Sequence, residues 1–140
     1  KFDYEMLEMR RFVERHGVTA FRMNPHFPIN TLHMMRMVTA ATLDGAAAPL
    51  VEVLFTHMWE RGTNLGDPLA LRTALVEAGL DADRLIARAG DRDARDALLT
   101  NTQRAFERGA FGAPTFFVGD EMYFGKDRLR DVEDEIARQR

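Results

Sequence analysis

The sequence predicts an α/β chain that is mostly helical, with a strand–strand–helix unit at its C-terminal end. Three observations predict it. Up to Gly109 the apolar residues recur at helical spacing, in segments divided by short breaks at glycine, proline and aspartate. At Thr115 the period changes, and Thr115–Val118 and Glu121–Phe124 read as short strands around a Gly119-Asp120 turn. An amphipathic stretch then closes the chain, with Leu129, Val132 and Ile136 on one side.

Taken in order, Phe2, Met6, Met9 and Val13 share one helical face. Asp3, Glu5 and Glu8 precede Arg10, Arg11 and Arg15, the charge order that a helix dipole favours, and Gly17 reads as the stop. Val18–Arg22 reads as a short extended connector. Met23–Asn30 holds Pro25 and Pro28 and is expected as an ordered loop, since proline lacks the donor that a helix interior needs. A helix follows from Asn30 or Thr31 to the Asp44-Gly45 break, with Leu32, Met35 and Val38 or Thr39 inward. Ala46–Arg61 resumes helix along Leu50, Val53, Leu54 and Met58, closed by Gly62; Trp59 is expected in the core. Asp67 caps the next, with Pro68 at its first position and Leu71, Ala74, Leu75 and Ala78 inward. Gly79 ends that helix. Asp81 caps a short one that stops at Gly90, and Asp91 opens a longer one through Ala94, Leu98 and Ala105 to Gly109. The acidic run Asp131–Glu135 is expected as a solvated face.

The 140 residues suffice for a core without disulfides or metals. Lysine plus arginine number 19 against 22 acidic residues, a net charge of −3 that gives no general pull toward nucleic acid or anionic membrane. Cysteine is absent, which excludes a disulfide, a thiolate metal site and a thiol nucleophile in these residues. His16, His26, His33 and His57 lack metal-ligand spacing, so no metal is expected. No apolar stretch approaches a bilayer span. Neither nucleic acid nor a membrane is therefore expected as a partner. Lys1 runs directly into helix, and the protein's start is expected upstream. Two short strands are marginal alone. They are expected at the edge of a larger sheet, completed by another chain or by an N-terminal part.

The segment Gly109–Leu129, GAFGAPTFFVGDEMYFGKDRL, is the most informative. Its small residue, proline, threonine and hydrophobic run resemble the cis-proline loop of thioredoxin-fold proteins. Only an X–Pro bond reaches the cis form cheaply. A cis Ala113–Pro114 bond would turn the Ala113 N–H and C=O outward, toward a peptide-like ligand. NPHFPINTLHMMR at 24–36 and Met58-Trp59-Glu60-Arg61-Gly62 to Asp67-Pro68, leading into Glu77-Ala78-Gly79-Leu80-Asp81, extend the likeness. Together these stretches resemble the DsbA-like branch that includes 2-hydroxychromene-2-carboxylate isomerases and kappa-class glutathione transferases. The resemblance implies a thioredoxin-like (DsbA/kappa-class) α/β fold with a helical insertion, its N-terminal βαβ half absent from this chain. Residues 1–90 would be mostly the helical insertion subdomain, and residues 91–140 the C-terminal half of the thioredoxin-like domain. It favours an upstream part, over a second chain, as the source of the remaining strands.

The resemblance also implies a function: a glutathione-dependent cis–trans isomerase of aromatic carboxylates, in aromatic compound degradation. Its alternatives are a kappa-class transferase that conjugates glutathione, a DsbA-like thiol-disulfide oxidoreductase, and a non-catalytic helical interaction module. The absence of cysteine disfavours the oxidoreductase unless a C-x-x-C lies upstream. The family's glutathione-activating serine belongs to the first βαβ unit, and this chain contains no serine. No catalytic residue is assigned here. By resemblance Ala113 would hold the cysteinyl part of glutathione with its backbone, in the loop it shares with Pro114. Phe124, Gly125, Lys126 and Asp127 would line the γ-glutamyl end, with Arg128 following. Helix-terminal N–H groups favour a carboxylate, and Asp127 suits the glutamyl ammonium. Asn30 would face the aromatic substrate. Each has a plainer structural role beside it: Asp127 and Asn30 as helix caps, Lys126 and Arg128 as solvated charges. Met23, Met34, Met35 and Met37 are either core or a polarizable wall for an aromatic substrate. A homodimer stays open, and a cytoplasmic location is expected.

Overall fold

Proline, glycine and aspartate punctuate the chain where its helices begin and end. In the computed structural model, which describes residues 2–140, α1 spans Phe2–Arg15, α2 Leu32–Leu43, α3 Ala47–Trp59, α4 Pro68–Glu77, α5 Ala82–Arg88 and α6 Arg92–Glu107. Strands β1 (Thr115–Val118) and β2 (Glu121–Phe124) follow, then a 3-10 turn at Lys126–Arg128 and α7 at Leu129–Arg138. Lys1 and the Phe2 side chain lie outside what is described, and with them the expected first member of the α1 stripe. Contacts divide the chain inside α6 into two compact units, residues 1–98 and 99–140. No helix among the described residues is long and apolar enough to cross a membrane.

In the first unit α4 shows how local chemistry sets an element. The Asp67 side chain accepts from Leu69 N–H at 2.7 Å and Ala70 N–H at 3.0 Å, and Pro68 needs no donor at the first position. At the other end Gly79 takes φ +73°, Leu80 N–H donates to Leu75 C=O at 3.0 Å, and Gly79 N–H donates to Val76 C=O at 2.9 Å. This pair of hydrogen bonds is a Schellman motif, and it satisfies carbonyls that α4 leaves open. No strand occurs from Thr31 to Gly90, as the run of capped helices predicts.

The core of this unit joins Met34, Met37 and Ala41 of α2 to Leu50 and Leu54 of α3 and Leu71, Ala74 and Leu75 of α4. Leu65, Ala82 and Ala89 complete it. Several expectations need correction. Leu32 and Met35 are exposed, so the inward stripe of α2 runs through Met34 and Met37 instead. Residues 32–43 are apolar nearly all round, and such a helix does not mark its own inward face. Ala78 is exposed at the α4 C-cap, and Trp59 is only partly buried. The Val18–Arg22 connector is interrupted by a turn at Thr19 and Ala20; Arg22 N–H donates to Trp59 C=O at 2.6 Å, and the Phe21 ring lies 6.0 Å from the Trp59 ring.

Two buried polar side chains organise the end of α3, and the first of them ties the proline-rich loop to it. Asn24 donates to Met58 C=O at 3.0 Å and Thr63 C=O at 2.9 Å, and accepts from His26 N–H at 2.8 Å. His57 Nε2 accepts from Arg61 at 3.2 Å, because a guanidinium can only donate. Nδ1 must then carry the proton, which it shares with Thr63 Oγ1 at 2.9 Å. Burial, then the Arg61 charge, push the His57 pKa below its ordinary 6.5, with Glu77 opposing. The unfolded chain therefore binds more protons at this group, so its contribution is complete above about pH 6.5 and declines as pH falls toward the folded value. Urea midpoints are expected to drop between pH 7.5 and 5.5 in the natural protein and to drop less in His57→Asn. An equal slope in both would place the proton uptake elsewhere.

Arg88 staples three segments, reaching Asp44 at 3.1 Å, Asp91 at 2.9 Å and Asp93 at 2.7 Å. Its hydrogen bonds hold the Asp44 and Asp93 carboxyls below the usual carboxylate range.

In the second unit β1 and β2 pair antiparallel, with Thr115 opposite Phe124 and Val118 opposite Glu121. Gly119 takes φ +58° while no non-glycine residue among the described residues has positive φ, the pattern of a type II′ turn. Arg108 lies 3.8 Å above the Phe117 ring and donates to Gly119 C=O at 2.9 Å. α7 corrects the sequence reading. Leu129 and Ile136 are exposed, whereas Glu135 is buried. The Glu135 carboxylate takes the Arg138 guanidinium at 2.9 Å, Gln139 at 2.9 Å and the Tyr123 hydroxyl at 3.4 Å. Burial, then Glu135 and Glu121, push the Tyr123 hydroxyl pKa up. Gln139 also donates to Val118 C=O at 3.2 Å, so α7 meets β1 through this polar side.

Candidate functional site

The loop from Ala110 to Pro114 and the turn from Phe124 to Arg128 sit side by side because the hairpin brings its two ends together. Gly125 N–H donates to Pro114 C=O at 2.9 Å, one step beyond the last strand pair. The Ala113–Pro114 peptide bond is cis, as is Phe27–Pro28. Thr115 Oγ1 donates to Gly112 C=O at 2.6 Å and closes the loop from the strand side. Ala113 is exposed, and its N–H and C=O have no hydrogen-bond partner among the described residues. A free donor and acceptor on one exposed residue suit an extended peptide, which offers the complementary pair.

Across from it, Gly125 adopts φ +104° and ψ +152°, a conformation that side chains resist. This turns the chain out of β2 and into the 3-10 turn ahead of α7. Asp127 does not cap that helix. The residue before α7 is Arg128, no side chain bonds the helix N–H groups, and Asp127 instead pairs with Lys126 at 2.6 Å. The cause is geometric: Asp127 already lies inside the 3-10 turn, whose N-cap is Gly125, past the position from which a side chain reaches forward to the first free N–H groups. Its carboxylate is exposed, as is Arg128, which pairs with Asp131 at 3.2 Å.

Phe111 is a neighbour that sequence reasoning missed. Its ring lies 4.6 Å from that of Phe124, tilted by 46°, and both rings are exposed. Gly112 makes the approach feasible, since a Cβ there would come within 2.9 Å of the Phe124 ring edge. The available signal was an aromatic residue between two small ones, directly before the proline loop. Ala113, Pro114, Phe124, Gly125, Lys126, Asp127 and Arg128 are thus one cluster, with Phe111 added.

Asn30 belongs to the first unit. Its Oδ1 accepts from Leu32 N–H at 3.0 Å, which starts α2, while its Nδ2 has no partner among the described residues. It borders a hollow with His33, Gly66 and Pro68. Among the described residues there is no group of three or more His, Cys, Asp or Glu placed to hold a metal ion.

A family model described as a DSBA-like thioredoxin domain matches residues 1–137. A 2-hydroxychromene-2-carboxylate isomerase of Pseudomonas putida is 32% identical over 143 residues, covering 99% of this chain and 66% of that protein. One from Pseudomonas sp. (strain C18) is 33% identical, covering 98% of this chain and 63% of that protein. A solved structure of a selenomethionine 2-hydroxychromene-2-carboxylate isomerase superposes with a TM-score of 0.74 at 27% identity, over 99% of this chain and 66% of that one. The chain therefore spans about two thirds of the length of these relatives.

Proposed function

The chain belongs to the DSBA-like thioredoxin domain family and has its fold, and from that premise we propose that it forms the larger part of a glutathione-dependent isomerase. The substrate class is an aromatic carboxylate of the 2-hydroxychromene-2-carboxylate type, and the setting is the breakdown of aromatic compounds. The observation that carries the glutathione part is the exposed Ala113 backbone, a free donor and acceptor beside the Phe124–Arg128 turn.

The residues present fit a γ-glutamyl peptide. Ala113 N–H and C=O would pair with its cysteinyl unit in antiparallel fashion and fix the direction of the peptide. The Asp127 carboxylate would take the ammonium at its γ-glutamyl end, a charge-assisted bond that directs as well as binds. Exposed backbone N–H groups ahead of α7 favour the neighbouring carboxylate. The Phe111–Phe124 pair would shield the peptide's flank from water. Glutathione, when bound, supplies the thiol that the isomerisation needs. Asn30 Nδ2, a donor without a partner among the described residues, would orient a substrate oxygen.

The test uses the protein that carries this chain. 2-Hydroxychromene-2-carboxylate is added with and without glutathione, and its absorbance spectrum is followed to equilibrium. Isomerisation that requires glutathione and leaves it unconsumed is expected. Accumulation of a glutathione conjugate, read by mass spectrometry, would overturn the isomerase in favour of a transferase. Equal rates without glutathione would remove it from the mechanism.

A further inference from the structure

Two loops lie back to back at the end of α3, and one buried imidazole stands behind their junction. The backbone of residues 62–66 runs close to the proline-rich loop: a Cβ at Gly62 would lie 3.3 Å from Pro25 Cδ, and one at Gly66 would lie 3.5 Å from Ile29 Cβ. Thr63 is the junction. Its C=O accepts from Asn24 Nδ2 and from Leu65 N–H, both at 2.9 Å, and its N–H donates to His57 C=O at 2.9 Å. Its hydroxyl meets the His57 Nδ1 proton at 2.9 Å. We propose that neutral His57 is a positioning residue for the proline-rich loop, a latch that a second proton on the imidazole opens.

The chemistry of the junction carries the assignment. Nε2 accepts from Arg61 at 3.2 Å, so a proton arriving there from solvent removes the acceptor and sets two cations side by side. His57 is only 7% exposed, too little for water to stabilise an imidazolium in place. Among the charged groups around it, Arg61 opposes the proton and Glu77 of α4 favours it. Asp67 lines the same hollow, with one carboxylate oxygen engaged by the Leu69 and Ala70 N–H groups. The proline-rich loop brings the neutral Asn24. The charged ring therefore turns toward Glu77 and water, and Thr63 loses the partner that fixes its side chain. The Asn24 bond and the packing on Pro25 and Ile29 then loosen together. Phe27, whose ring lies 5.8 Å from that of Trp59, and Asn30 ride on this loop. Phe27, Ile29 and Leu65 border the hollow beside Trp59, so its wall opens with the latch.

The effect on Asn30 rests on the isomerase reading, whereas the latch itself rests on the junction. Trp59 is the only tryptophan in the sequence, so acrylamide quenching of its fluorescence reports on the loop that carries Phe27. In the full chain the quenching constant is expected to rise about twofold as pH falls from 7.5 to 5, with a midpoint below 6.5 and unchanged far-UV circular dichroism. His57→Asn keeps a donor for Thr63 and takes up no proton, so its constant is expected to stay flat. Arg61→Gln is expected to raise the midpoint and Glu77→Gln to lower it, each by about half a pH unit. Both positions are exposed, so these variants keep the test available if His57→Asn fails to fold. A flat constant in the natural chain, a rise that persists in His57→Asn, or a midpoint that neither charge variant moves would overturn the proposal. So would a rise that follows the loss of circular dichroism, the mark of global unfolding. In the protein that carries this chain, the KM for 2-hydroxychromene-2-carboxylate is expected to rise through the same midpoint, and to rise less in His57→Asn. An acid-opened latch in a protein without isomerase activity would overturn the isomerase alone. Isomerase activity beside a flat quenching constant would overturn the latch alone.

Discussion

Leu75→Ala is expected to lower the unfolding free energy by about 2–5 kcal/mol, the range for deleting a leucine side chain from a packed core. Leu75 has no exposed surface and belongs to the cluster that joins α2, α3 and α4. The loss has two parts: the transfer free energy of the deleted methylene and methyl groups, and the hole they leave. Helix propensity works in the opposite direction, since alanine is the better helix former, and the Leu75 carbonyl that serves the Schellman motif is retained. Val76 is the internal control. It follows directly on α4 but is 55% exposed, so Val76→Ala should stay within about 0.5 kcal/mol. Urea unfolding followed by Trp59 fluorescence measures both. Similar losses at the two positions would mean that α4 does not pack by the face described.

Asp127→Ala is expected to weaken glutathione about tenfold, or ~1.4 kcal/mol, in the protein that carries this chain. A hydrogen bond to a charged group is worth about 1.5–3 kcal/mol. The lower end applies for two reasons. The carboxylate is 71% exposed, so water screens it, and Lys126 already holds one of its oxygens at 2.6 Å. Because Asp127 caps no helix N–H, its removal should leave stability within about 0.5 kcal/mol. Titration calorimetry measures the first quantity and thermal unfolding without ligand the second. Lys126→Ala removes the competing cation and should not weaken binding. Were it the costlier of the two, the lysine would hold the ligand through a carboxylate and the aspartate assignment would fail. Loss of stability with unchanged affinity at Asp127 would return that residue to a purely structural role.

Much of the fold is legible along the chain, because the signals that delimit its elements are local. Asp67-Pro68 opens α4 and Gly79 closes it, through bonds that span no more than six residues. The two strands occupy the residues read as β-forming, Thr115–Val118 and Glu121–Phe124, because a glycine that tolerates positive φ sits between them. The loop and turn of the candidate site were singled out by resemblance, and they lie side by side because a two-residue turn leaves the hairpin little choice of register.

Tertiary structure decided the rest. An α2 that is apolar nearly all round packs by Met34 and Met37 only because α3 and α5 lie there, and those neighbours are absent from a 12-residue window. Glu135 is buried because Arg138, Gln139 and Tyr123 converge on it, and Tyr123 comes from a strand outside its helix. Asp127 looked like a cap and became one half of an ion pair, since the 3-10 turn begins at Lys126 and puts Gly125 at the cap position. Phe111 meets Phe124 across the hairpin's open end, and the hollow beside Trp59 draws on two loops and two helices. The backbone's preferences act within one turn of chain and are written in order along it. Which side of an element is covered depends on what arrives from elsewhere, and that is settled by packing.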